Sequence, residues 1–277
     1  MEPEKDIQKT TKCLNCGTEF EGNFCPECGQ NADTGRFTMK LILENLTSAI
    51  LGRDGGVWFT LKNLVTRPSS MIVDILNGKR KRYFSPFPML FFCLALYIVI
   101  LSFTNGHAFK ESFYDSQIEF KGSDDSEQSS TEVYKLFSQT LDFLNNHYTL
   151  SYIMTLPLWL LGARLCYGKN NRKRYYWAEY IITIVYASVI VVLFRCLIKL
   201  TYFIDKDLSL QLGTILSPII TIVAYTACFK KMLGFSIAKT AWRSVLVTAM
   251  YYILLGIIIL IYVIISVIIL AKRLKYI

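Results

Sequence analysis

From Ser244 to Leu270 the chain runs for 27 residues without a charge. A hydrocarbon core about 30 Å thick is crossed by about 20 apolar residues in a helix, so this run is long enough to span a membrane with length to spare. As one helix it would measure about 40 Å, at about 1.5 Å per residue. It must therefore tilt, begin outside the core, or bend near Gly256.

Four apolar runs precede it, at about Phe87–Phe103, Leu150–Tyr167, Trp177–Phe203 and Leu210–Phe229. The pattern predicts an all-α polytopic membrane protein of about five transmembrane helices. A hydrophobic content of 53% agrees, since soluble domains stay near about 45–50%.

The charges are segregated between these runs. Lys79, Arg80, Lys81 and Arg82 stand directly before the first; Arg164, Lys169, Arg172, Lys173 and Arg174 close the second; Lys230, Lys231, Lys239 and Arg243 follow the fourth. Residues 105–148, between the first two runs, hold three Lys or Arg against eight Asp or Glu. Basic segments stay on the cytosolic side, so the N-terminus is expected there and the acidic loop outside. Lys79, Arg80, Lys81 and Arg82 are then candidates for lipid headgroup contact. The net charge of +9 is distributed as a topology signal, and no nucleic acid is expected as a partner. One conflict arises, because five spans put Lys272, Arg273 and Lys275 outside. The first 35 residues lack the apolar segment of a signal peptide, so the first span is expected to direct insertion.

The N-terminal 35 residues carry a different chemistry. Cys13-Leu14-Asn15-Cys16-Gly17 and Cys25-Pro26-Glu27-Cys28-Gly29 are two Cys-x-x-Cys-Gly knuckles separated by eight residues. Each knuckle can hold an ion with two thiolates from a tight turn, and two together complete a tetrahedral site. Cys13, Cys16, Cys25 and Cys28 are the expected ligands of one structural zinc ion; iron is left open by spacing alone. The short gap predicts a minimal zinc ribbon with little or no sheet. Disulfides are disfavoured in a reducing cytosol, and a redox Cys pair would belong to a βαβ pattern that this sequence lacks.

Between head and first span, residues 36–86 read as short amphipathic juxtamembrane helices. Met39, Ile42, Leu43, Leu46 and Ile50 share one face; Val57, Leu61, Leu64 and Val65 form a second set ending at Arg67-Pro68; Met71, Ile72, Ile75 and Leu76 form a third ending at Gly78. They are expected on the bilayer surface or against the bundle, with Trp58 and Phe59 at headgroup depth. The chain thus divides into a head (1–35), a juxtamembrane region (36–86) and a bundle (87–277).

Phe24-Cys25-Pro26-Glu27-Cys28-Gly29-Gln30, Asp54-Gly55-Gly56-Val57-Trp58-Phe59-Thr60-Leu61, Arg67-Pro68 and Gly78-Lys79-Arg80-Lys81-Arg82-Tyr83 with Pro86 resemble a bacterial family of zinc-ribbon-headed multi-pass membrane proteins, catalogued as a domain of unknown function. The resemblance covers about residues 13–100. It implies a bacterial inner-membrane protein with a cytosolic N-terminal ribbon, and it brings no active-site residues with it.

Three function classes compete. A scaffold or sensor recruiting a cytosolic partner is favoured by the separate chemistry of the head. A transporter or channel subunit would draw on Pro157, Pro218 and Gly256 to break helices and on Thr183, Ser188, Thr221 and Thr226 as lining. Yet no span holds an Asp, Glu, Lys or His near mid-bilayer; Glu179, Arg195 and Lys199 lie near span ends and are expected to snorkel. A membrane enzyme acting on lipid or envelope precursors ranks last, because no HExxH helix, Gly-x-Ser-x-Gly elbow or phosphate-cradling glycine loop is present. Cys93, Cys166, Cys196 and Cys228 read as packing thiols. In the external loop, the acidic residues lack a calcium-loop pattern, and His107 and His147 have no partner motif. The stripe Val133, Leu136, Phe137, Thr140, Leu141, Leu144 reads as an amphipathic helix.

Overall fold

The computed structural model describes residues 10–39, 56–104, 148–168 and 175–275. The helix expected over 40–50 and the acidic segment 105–147, with both histidines, lie outside the described residues. The elements are β1 (Thr11–Lys12), β2 (Glu19–Phe20), α1 (Val57–Thr66), α2 (Pro68–Leu76), α3 (Pro86–Phe103), α4 (Tyr148–Gly168), α5 (Trp177–Leu200), a 3₁₀ turn (Thr201–Phe203), α6 (Lys206–Leu233) and α7 (Ile237–Lys275). β1 and β2 pair antiparallel over two residues each, the minimal sheet that the short knuckle spacing implies.

Five helices, α3 to α7, are long and apolar enough to cross a membrane, and the protein is an all-α polytopic membrane protein. Pro86 sits in the first turn of α3, where its missing N–H costs nothing. Asp205 caps α6 by accepting from the amides of Asp207 and Leu208. Pro157 and Pro218 lie inside α4 and α6 without ending them. The last helix starts at Ile237, well before the charge-free run, and continues unbroken through Gly256.

α5 is the axle of the bundle. It packs against α3, α4 and α6, while α7 packs against α4 and α6. Its buried face combines Ala178, Thr183, Ala187 and Ser188 with Tyr180 and Tyr186, small residues that let neighbouring backbones approach. α4 and α7 meet where Gly162 faces the Val247 backbone, where Trp159 stacks on Tyr251 at 4.1 Å, and where Tyr167 Oη and Ser244 Oγ lie 2.6 Å apart. The polar residues considered as a cavity lining serve instead as helix-internal and interhelical hydrogen bonds. Thr183 donates to the Glu179 carbonyl, Thr221 to the Ser217 carbonyl, and Thr226 to Ile222 O, with its hydroxyl 2.9 Å from Ser244 Oγ.

The amphipathic helices dock on the bundle. α2 packs on α6 and α1 reaches α5, and Lys231 at the end of α6 donates to Ser70 Oγ. Phe59 turns inward beside Tyr83, ring centres 5.7 Å apart, whereas Trp58 is 80% exposed. The two residues expected together at headgroup depth thus point to different environments.

Candidate metal centre and its docking site

The knuckles fold alike because their sequences are alike. In the first, Gly17 N donates to Cys13 O and Cys13 N to Thr18 O; in the second, Gly29 N donates to Cys25 O and Cys25 N to Gln30 O. Gly17 and Gly29 take φ of +86° and +69°, which glycine adopts freely. The turns bring Cys13 Sγ to 3.5 Å from Cys28 Sγ and Cys16 Sγ to 3.5 Å from Cys25 Sγ, and all four sulfurs lie within 4.8 Å of one another. A tetrahedral zinc site with Zn–S near 2.3 Å sets sulfurs about 3.8 Å apart. The four thiols fit a single ion, and none forms a disulfide.

The thiols are not equivalent. Hydrogen bonds from the Thr18 hydroxyl and backbone bring Cys16 down to about 6, while desolvation pushes Cys28 up to about 11. Cys13 and Cys25 are buried and Cys16 is exposed. Metal binding to such a set displaces protons, the more so for the thiols that burial keeps protonated.

The head is seated on the segment between α2 and α3 by the residues that follow its second knuckle. Gln30, 3% exposed, donates from Nε2 to Gly78 O at 2.8 Å and accepts from the amides of Arg80 and Lys81 at 3.2 and 3.4 Å. Gly78 permits this approach twice over. Its φ is +101°, and a Cβ there would stand 2.7 Å from Leu14 Cδ1 of the first knuckle.

Two arginines extend the dock. Arg80 lays its guanidinium over the Phe37 ring at 3.7 Å and donates to Gly35 O; burial lowers it to about 10. Arg36 forms a two-pronged pair with Glu179 at the start of α5, Nε to Oε1 at 3.1 Å and Nη2 to Oε2 at 2.9 Å. It also covers the Tyr176 ring at 4.4 Å. Glu179 is 3% exposed and further accepts from Tyr176 N at 2.7 Å. A cleft of about 410 Å³ lies between head and bundle, lined by Thr34, Gly35, Arg36, Asn77, Tyr175 and Glu179 among others.

Several sequence expectations are revised by this geometry. Glu179 does not snorkel; it is buried and ion-paired with a residue 143 positions away. Arg195 turns into the bundle, donating to Ser217 Oγ at 2.8 Å and Tyr148 Oη at 3.3 Å. Lys79, Arg80 and Arg82, candidates with Lys81 for lipid headgroup contact, each have a protein contact as well, which leaves that expectation standing: Lys79 pairs with Asp74 at 2.9 Å, Arg80 covers Phe37, and Arg82 lies 5.1 Å from the Phe59 ring centre. Gln30 and Arg36 went unnoticed as functional residues. The only available signal was that both closely follow the second knuckle.

Residues 54–98 match a family described as a protein of unknown function (DUF3667). No curated protein and no solved structure matches the chain. The match covers α1, α2, the basic segment and most of α3, which is the platform under the head, and does not include the four cysteines.

Proposed function

We propose that this chain is a membrane-anchored zinc-ribbon scaffold or sensor. Its head, residues 1–35, recruits a cytosolic protein partner and reports to the bundle, residues 87–277, through the juxtamembrane region 36–86. The observation that carries this reading is the convergence of four thiols within 4.8 Å on a module clamped to two separate parts of the membrane domain, at Gly78 by Gln30 and at Glu179 by Arg36. A ribbon that merely terminated a chain would need neither clamp.

Cys13, Cys16, Cys25 and Cys28 hold one zinc ion, whose closed set of thiolates leaves no position for catalysis; the reading is therefore non-enzymatic. The membrane is the bacterial inner membrane with the N-terminus cytosolic, because the cations gather at the head-side ends of α3, α4, α6 and α7. Lys79, Arg80, Lys81 and Arg82 add headgroup contact to their protein contacts.

The test uses the full chain in nanodiscs, wild type and Cys13→Ser/Cys16→Ser, with metal quantified and bound cytosolic proteins identified by mass spectrometry. One zinc per chain and a partner lost in the variant are expected. A partner that binds both forms equally would overturn recruitment by the head.

A transporter subunit is the second reading, favoured by Arg195 bonding Ser217 beside Pro218 inside the bundle. Solute flux into proteoliposomes that persists after deletion of residues 1–35 would select it.

A further inference from the structure

On the head side of the bundle, where α4 ends and α5 and α7 begin, two buried donors, Tyr180 Oη and Arg243 Nη1, lack an acceptor beside Arg164, which itself donates to Tyr175 O. Tyr180 on α5 is fully buried; the Arg164 side chain approaches its hydroxyl as a donor, and the hydroxyl proton itself meets no acceptor. Arg243 on α7 buries Nη1, also without a partner, and rests its guanidinium on the Phe235 ring at 4.3 Å. Arg164 near the end of α4 lies 5.4 Å from the Tyr180 ring centre and 5.3 Å from that of Trp177. The charges of Arg164 and Arg243 both act on the Tyr180 hydroxyl.

The register of these helices is fixed next to the cluster. Ser244 Oγ is held between Tyr167 Oη at 2.6 Å and Thr226 Oγ1 at 2.9 Å, so α7 cannot turn about its axis here without breaking both contacts. The nearest acid in sequence, Glu179, is engaged by Arg36, and among the described residues no carboxylate pairs with Arg243. Buried donors are almost always satisfied in folded proteins, and an orphaned pair of which one is a cation, with a second cation beside it, calls for an anion.

We propose that this cluster binds a phosphate monoanion, supplied by the headgroup of an anionic phospholipid in the head-side leaflet, with Arg243 Nη1 and Tyr180 Oη donating to its oxygens. The depth fits a lipid source. Arg243 lies six residues into α7, about 9 Å along the helix. Trp177 and Trp242, 45% and 64% exposed at the same end, are the residue type that settles at the membrane interface. Basic pockets between helices at this level accept lipid headgroups. Arg164 supplies the second positive charge, and α4, α5 and α7 are joined by one ligand that none of them could hold alone.

The test is native mass spectrometry and thermal unfolding of the full chain in phosphatidylglycerol and in phosphatidylcholine nanodiscs, for wild type, Arg243→Gln and Tyr180→Phe. Expected are retained phosphatidylglycerol on the wild type and a raised melting temperature in that lipid. Both variants should lose the retained lipid by about tenfold. Tyr180→Phe keeps the net charge and the buried ring, so it should unfold in phosphatidylcholine like the wild type while losing the phosphatidylglycerol gain. General attraction of a basic protein to an anionic membrane would leave Tyr180→Phe unchanged, and that result would overturn the proposal. Inorganic phosphate added to phosphatidylcholine nanodiscs separates the sources: an equal rise in melting temperature there would assign the site to free phosphate and overturn the lipid. If Arg243→Gln fails to fold, Tyr180→Phe alone decides.

Discussion

α5 and α7 are almost equally apolar, with mean hydropathies of 2.6 and 2.5 over their most apolar windows, yet 67% of that window is buried inside the protein in α5 and 6% in α7. Hydropathy separates water from lipid and says nothing about which apolar helix faces protein. One difference is the small and hydroxyl residues set among the apolar ones. α5 buries Ala178, Thr183, Ala187 and Ser188 together with Ile182, Val185, Val189 and Val192, whereas α7 from Ile253 to Ile265 has no Ala, Ser or Thr and exposes Ile253, Ile257, Ile258, Ile261 and Ile264. Small residues let backbones approach closely enough for their bulky neighbours to pack too, while a bulky surface gains little by leaving lipid for protein. α7 obeys the same rule in its first half, where Thr240, Ser244 and Thr248 are buried at four-residue intervals.

The largest expected effect concerns the head, which is tied to α5 and not to α7. Binding of a structural zinc is worth on the order of 10 kcal/mol to such a module. Chelation should unfold residues 10–35 and release Arg36 from Glu179. Hydrogen exchange should then rise around residues 177–180 at the start of α5 and stay unchanged around 244–251 of α7. Equal changes in both helices would mean that the head stabilises the bundle as a whole.

Overpacking comes next. Ala187 is fully buried, and Ala187→Phe should cost about 3 kcal/mol in unfolding experiments in detergent. Leu260, 59% exposed, should accept Phe within about 0.5 kcal/mol. Comparable losses at the two sites would show that a partner covers the distal half of α7.

Gly162→Val probes the half of α7 that packs as α5 does. A Cβ at Gly162 already meets Val247 O at 3.4 Å, so the branched side chain should push α4 from α7 at a cost of about 1–2 kcal/mol. Loss of the Trp159–Tyr251 stacking signal in near-ultraviolet circular dichroism would report it. Unchanged stability would mean that α7 can slide to accommodate the substitution.

Local patterns in the sequence were sufficient for the spans and the thiol cluster. Apolar run length gave five helices, and two Cys-x-x-Cys-Gly turns gave four converging thiols, because both are encoded by residues close together in the chain. The clamp between head and bundle was not legible, since Arg36 and Glu179 are 143 residues apart and a lone Glu at a span end reads as a solvated charge. Arg195 misled for the same reason: its partners Ser217 and Tyr148 belong to other helices. The Thr240, Ser244, Thr248 stripe was visible at four-residue spacing and would have marked the packed half of α7. The charge-free length of that run drew the reading to membrane crossing instead.

The smallest expected effect is the most specific to α5. Arg36 is half exposed, at 49%, while the Glu179 side chain it covers is 3% exposed. Arg36→Gln leaves a buried carboxylate with the Tyr176 amide and only the more distant charge of Arg80. A fully buried pair broken in this way would lose several kcal/mol; solvent reaches Arg36, which lowers the expected cost to about 1 kcal/mol. Arg36→Lys should recover only part of it, because an ammonium cannot make the two-pronged contact or lie flat on Tyr176. Limited proteolysis between residues 31 and 39 offers the sharper readout: faster cleavage in Arg36→Gln with metal still bound would show that the α5 clamp holds the linker independently of the knuckles. If cleavage stays slow, the seat of Gln30 and Leu14 on Gly78 is sufficient, and the head is bound to the entry of α3 rather than to the axle of the bundle.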